Sequence, residues 1–223
     1  MFLNAYKEAV QVLAKKPFVL WGLSLMSGLL ALLAIAFCFL LPIVWIPIIL
    51  TLSAGMSFIY LEGLRGKSVN SDQLFVGFKN FAHVAGGMAW MYLWVFIWAL
   101  IPLAGPIIAV VKAYSYAFTP YILFTRPELS ATEALRESMR ETYGKKSAMF
   151  CADFVFGIAV TLVLLVLAGF SAIPFIGRLF GLLYLLGSIV VGIFSPLFTG
   201  LVRAYFYDKK DEAKEQEPEP EFV

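Results

Sequence analysis

Two charges stand alone in long apolar runs, Lys112 and Asp153, and any chemistry in this chain has to start from them. An ionisable side chain in lipid is costly, and it tends to face a bundle interior or a wet cavity. Around Lys112 the chain reads Lys-Ala-Tyr-Ser-Tyr-Ala-Phe-Thr-Pro-Tyr. On a continuous helix Lys112, Ser115, Tyr116 and Thr119 share one face, because their spacing is i, i+3, i+4, i+7. Pro120 has no amide hydrogen, so it frees the Tyr116 carbonyl as an acceptor along that stripe. Such a stripe lines a cavity or holds helices together. Asp153 completes the candidate intramembrane site. Lys112 lies roughly 9 Å along its helix from Pro106, and Asp153 roughly 10 Å from Lys146, at about 1.5 Å per residue. In an apolar core of about 30 Å their depths differ by roughly 10 Å. A direct pair would need lysine reach, helix tilt or a water. The plainer readings are a snorkelling lysine and a carboxylate at the membrane edge.

Other chemistry is poorly supplied. There is no Gly-rich phosphate loop, no His-Glu-x-x-His and no paired-cysteine motif. His83 is the single histidine, and Cys38 and Cys151 sit in apolar runs as packing thiols. Trp90, Trp94 and Trp98 recur at i, i+4, i+8, a spacing that suits helix packing or a stacking wall. No cofactor is expected and no catalytic constellation is visible, so the chain reads as a non-enzyme.

The elements that must position these residues are membrane helices. Of the 223 residues 61% are hydrophobic and 14% are charged, with a mean hydropathy of +0.85. Soluble domains carry about 25% charged residues. A spanning helix needs about 20 apolar residues, and the sequence supplies six such runs in three hairpins: 18–41 with 48–64, 84–101 with 107–125, and 147–170 with 179–205. Proline clusters mark the turns, with Pro42 and Pro47 flanking the first.

Fifteen of the 17 basic residues fall at the N-terminus, in the 62–83 and 126–146 loops, or at the C-terminus. That bias assigns both termini to the cytoplasm. Residues 1–207 form one transmembrane domain, and 208–223 read as a disordered charged cytoplasmic tail. A net charge of +2 gives no electrostatic footprint for nucleic acid. The expected partner is the lipid bilayer, together with a membrane protein of unstated identity.

Each hairpin follows a short amphipathic stretch of the interfacial kind. The first presents Phe2, Tyr6, Ala9, Val10 and Leu13, and the second Leu74, Phe75, Phe78 and Phe81. The third opens on a Ser130–Glu133 capping box and presents Ala134, Leu135, Ser138 and Met139. The second and third also align at an offset of 61. Tyr60 then meets Tyr121, Asp72 meets Glu133, Leu74 meets Leu135, and Lys79 meets Arg140.

The run Ile101-Pro102 … Pro106-Ile107-Ile108 … Lys112-Ala113-Tyr114-Ser115-Tyr116 … Thr119-Pro120-Tyr121-Ile122-Leu123 continues through Pro127-Glu128-Leu129-Ser130-Ala131 and Glu133-Ala134-Leu135. It resembles the bacterial multi-pass membrane proteins called the Domain of Unknown Function 975 family, over roughly residues 55–210. This chain lengthens the family's Ile-Pro-Gly-Ile-Ile-Lys run to Ile-Pro-Leu-Ala-Gly-Pro-Ile-Ile-Ala-Val-Val-Lys. The resemblance implies a bacterial plasma membrane and no established activity. The expected fold is an all-α polytopic membrane bundle. The leading functional expectation is a non-catalytic accessory or envelope factor acting through helix packing and lipid contact. The alternative is a small transporter or channel using the stripe around Lys112. A cavity reaching past the membrane middle would favour the alternative, and a tightly packed bundle the accessory role.

Overall fold

A computed structural model describes residues 2–15, 17–38, 42–171 and 173–215, and among them every regular element is helical. The order is α1 Phe2–Lys15, α2 Pro17–Cys38, α3 Pro42–Leu64, a 3-10 helix η1 Ser71–Asn80 and α4 Phe81–Ala99. Then follow α5 Gly105–Ser115, α6 Thr119–Thr125, α7 Ala131–Glu141, α8 Lys146–Ser171 and α9 Gly177–Glu215. Five helical stretches among the described residues are long and apolar enough to cross a membrane. Taken as one span, the α1–α2 pair, bent by 97°, brings the number to six.

Three boundaries differ from the sequence reading. Pro47 lies inside α3, so residues 42–47 belong to the helix and not to a turn. Pro42 opens the helix, where proline is accepted, whereas Pro47 has no N–H for the carbonyl four residues before it, a loss that membrane helices tolerate. One turn on, the Thr51 hydroxyl donates to the Pro47 carbonyl at 2.8 Å. At the other end α9 runs through Asp208 to Glu215, so the tail boundary at 208 falls within a helix. The Asp-Glu-Ala-Lys-Glu run contains good helix formers, Ala, Lys and Glu among them. The rest of the expected tail, 216–223, and the first hairpin's turn at 39–41 lie outside the described residues. Finally, the second amphipathic stretch is a 3-10 helix. With side chains eclipsed at i and i+3, Phe75, Phe78 and Phe81 form a ring ladder with centroids 6.0 and 5.7 Å apart.

The amphipathic stretches pack onto the bundle. On α1, Ala5, Ala9 and Leu13 are buried while Val10 is exposed, and the Tyr6 hydroxyl donates to the Ala152 carbonyl of α8. η1 crosses α3 so closely that a Cβ on Gly55 would lie 2.3 Å from the Leu74 carbonyl oxygen, and one on Gly77 would meet the Thr51 side chain at 2.8 Å. On α7, Ala134, Leu135 and Ser138 are buried. Leu74 and Leu135, equivalent at the offset of 61, are both buried.

The tips of the second and third hairpins are copies of one another. Both read Ile-Pro-x-x-Gly, at 101–105 and 173–177. In each, the residue after proline has a positive φ, 64° at Leu103 and 71° at Phe175, and the glycine N–H donates to the isoleucine carbonyl at 2.8 Å. In each, a Cβ on the glycine would lie 2.3 Å from the carbonyl oxygen six residues back. The offset between tips is 72, against 61 for the amphipathic stretches. Much of that difference lies in the first helix of the hairpin, 26 residues in α8 against 19 in α4, about two helical turns. The extra length exposes rows of Leu, Ile, Val and Phe on α8 and α9, the surface that lipid covers.

Candidate ligand-binding cavity

The site begins at a break in a helix. α5 stops at Ser115 and α6 starts at Thr119, because Pro120 has no N–H to offer the Tyr116 carbonyl. The break is closed by α7. Ser138 Oγ accepts from the Phe118 N–H at 3.1 Å and donates to the Ser115 carbonyl at 2.9 Å. Thr142 Oγ1 donates to that same carbonyl at 3.1 Å. The Tyr116 carbonyl, which a straight helix would leave free, accepts from the Thr119 N–H at 3.0 Å.

The break divides the polar stripe. Tyr116 turns into a cavity. Ser115 is buried and donates to the Val111 carbonyl at 2.8 Å. Thr119 is buried, its hydroxyl without a hydrogen-bond partner among the described residues. Lys112 sits apart, its Nζ 4.8 Å from the ring centroid of Trp98, a cation–π contact. The tryptophan row serves packing, with Trp90 and Trp94 edge to face at 5.8 Å.

Asp153 has a partner that the sequence reading left at the cytoplasmic end. Its Oδ2 accepts from Arg203 Nη2 at 3.0 Å and from the Tyr114 hydroxyl at 2.9 Å. Arg203 follows the apolar run Phe-Ser-Pro-Leu-Phe-Thr-Gly-Leu-Val. That isolation, the same signal that marks Lys112 and Asp153, could have found it. Tyr114 was hidden among other aromatics.

The central cavity measures about 770 Å³ and lies between α2, α3, α4, the α5–α6 break and α9. From Ile189 to Arg203 it follows α9 for about 21 Å, more than half of the apolar thickness. Leu52, Met56, Met88 and Met91 form its buried walls. Leu29, Leu32, Tyr92 and Ile189, at its rim, are exposed and turn it toward lipid. Its polar end holds Tyr60, Tyr116, Tyr121 and Arg203. Tyr60 and Tyr121, the pair matched at offset 61, close on Gly200 from two sides. The Tyr121 hydroxyl donates to the Gly200 carbonyl at 3.3 Å, and a Cβ on Gly200 would lie 2.2 Å from the Tyr60 ring. Tyr121 also stacks on Tyr207 at 5.0 Å, whose hydroxyl is 2.7 Å from that of Thr125.

A second, shallower groove of about 530 Å³ runs beside Tyr114, Asp153, Gly157 and Thr161. Asp153 borders this groove and Arg203 borders the cavity, so their ion pair forms part of the partition between the two. Among the described residues no three His, Cys, Asp or Glu side chains come together as a metal site.

Ion pairs fasten the end of the bundle below the cavity. Arg126 reaches Glu137 at 2.8 Å and Glu141 at 2.7 Å, and Arg65 reaches Asp208. Burial works to raise the Glu137 carboxyl, but hydrogen bonds from Arg126 and Arg140 outweigh it and hold the group below its ordinary range. No protein-family model, no curated protein and no solved structure matches this chain.

Proposed function

We propose that this membrane protein is a non-catalytic binding protein or small carrier for an amphiphile, which it takes from the bilayer into the cavity between α2, α3, α4 and α9. The observation that carries this reading is the cavity itself. A close-packed bundle working only through its outer faces has no use for about 770 Å³ of space, because interiors otherwise pack to crystal-like density. Ligand pockets run about 300–1,000 Å³ with mostly apolar linings and a few polar groups, and this cavity has that make-up. On this reading Lys112 is a packing residue of the second hairpin, and binding rests on Tyr116 and the residues around it. Charge bias supports cytoplasmic termini in a plasma membrane, consistent with the family resemblance.

The experiment fills the space. Gly28 and Gly192 line the cavity, and a Cβ on either would meet nothing within 4 Å. Gly192→Phe and Gly28→Phe are expected to leave the protein folded in detergent and to abolish binding of a monoacyl lipid. Unchanged binding in both folded variants would sink the proposal.

A further inference from the structure

The cavity is polar at one end, and the charge there belongs to a single cationic side chain. Of the small hydroxyls that line it, Ser24, Ser57 and Thr199 give their protons to the backbone carbonyls of Ile193, Ser53 and Ser195, and Ser27 and Ser53 carry no charge. Arg203 differs. A guanidinium has five N–H donors. Nη2 serves Asp153, and Nε has no hydrogen-bond partner among the described residues. The Arg203 side chain remains 43% exposed although α9 is packed on several sides. Arg203 is among the residues that line the cavity. A guanidinium in low-dielectric surroundings gains strongly from a second oxyanion, which its planar fork can take alongside the first.

Position agrees with this. Arg203 lies about 7.5 Å along α9 from Asp208, and Asp208 pairs with Arg65 at the bundle's end. From Arg203 the apolar walls lead toward the membrane middle. A lipid of the adjacent leaflet has that polarity, with its headgroup near the interface and its chain inward.

Resting on the cavity reading above, we infer that Arg203 recognises the anionic headgroup of a single-chain lipid, a carboxylate or a phosphate monoester, whose acyl chain fills the cavity toward Leu32 and Ile189. Asp153 and Tyr114 are positioning residues. They hold the guanidinium from the side of the α8 groove, and Asp153 also tempers its charge. The volume suits one chain, and the open rim admits it from the bilayer.

The test uses the full chain in detergent micelles, with binding read by displacement of a fluorescent fatty acid. Oleate and oleoyl lysophosphatidate supply the two anionic headgroups. Monoolein supplies the same chain without charge, and acetate and inorganic phosphate supply the anions without the chain. Wild type is expected to bind at least one anionic lipid at least about tenfold tighter than monoolein, and the preferred one names the headgroup. Asp153→Asn, which removes the charge and keeps one acceptor oxygen for Arg203 and Tyr114, is expected to tighten anionic binding several-fold. Arg203→Gln with Asp153→Asn, which removes both charges together, is expected to erase the preference while retaining monoolein binding. Equal affinity for anionic and neutral lipids in wild type would overturn the inference. So would a preference that survives the double variant, a weakening by Asp153→Asn, or chain-free anions binding as tightly as the lipids. Monoolein binding that is lost in Gly192→Phe but shows no charge preference would leave the cavity reading standing and remove this one.

Discussion

Arg203 and Asp153, fifty residues apart in sequence, meet at 3.0 Å and join α9 to α8 beside the central cavity. The Tyr114 hydroxyl brings α5 to that same carboxylate oxygen. Three helices thus converge on one carboxylate. Removing one member of a partly buried pair leaves a charge uncompensated, so the single Asp153→Asn variant is read beside the neutral pair with Arg203→Gln.

The crossing of η1 over α3 sets the spacing of the first and second hairpins. Gly55→Ala drives a methyl group against the Leu74 carbonyl, 2.3 Å from the position its Cβ would take. Overpacking of this kind costs about 1–3 kcal/mol. Thermal unfolding in detergent should fall clearly for Gly55→Ala and stay unchanged for Gly28→Ala, where the Cβ meets open space.

The α5–α6 break depends on Ser138. Ser138→Ala leaves the Phe118 N–H without its acceptor in a buried position, at a cost of about 1–3 kcal/mol. The Ser115 carbonyl keeps Thr142. The expected result is a lower unfolding temperature with normal membrane insertion. Full stability in Ser138→Ala would show that the break forms without α7.

Acid should loosen α7. The Glu137 carboxyl is held below its ordinary range, so its contribution is fully present above the unfolded value, about 4.3 for glutamate. It is lost as the pH falls through the lower folded value. Amide exchange in α7 should be flat from neutral pH to about 5 once corrected for the intrinsic rate, then accelerate on further acidification. Arg126→Gln should abolish most of that step.

Much of the architecture is legible in the sequence, since apolar length and proline position are local signals. The Ser130–Glu133 capping box is present, with the Ser130 N–H donating to Glu133 at 2.8 Å. The offset that pairs Tyr60 with Tyr121 leads to two rings closing on one glycine. The repeated Ile-Pro-x-x-Gly tips were equally local, but 11 extra residues between the third amphipathic stretch and its tip hid them from a single offset. The site was less legible. A polar stripe presumes a continuous helix, and Ser138 in α7 completes the break that divides it. The partner of Asp153 lies fifty residues away, where no periodicity reaches. The cavity arises from five elements that only the fold brings together.

Orientation follows from charge bias and has its own test. Cysteines placed at Ser68 and Glu128 should resist an impermeant thiol reagent in intact cells, on a background from which the native cysteines have been removed. One at Ala104 should label. The reverse pattern would invert the bundle and put Arg203 toward the opposite leaflet.

Photo-crosslinking shows whether the cavity holds a lipid chain. A fatty acid carrying a diazirine near its chain end is added to the full chain in vesicles, irradiated, and its adducts mapped by peptide mass spectrometry. Adducts are expected on the cavity walls, at Leu52, Met56, Met88 and Met91 among others, and are expected to disappear in Gly192→Phe. Adducts confined to the outward rows of α8 and α9, such as Leu162 and Leu183, and indifferent to Gly192→Phe would contradict a chain held in the cavity.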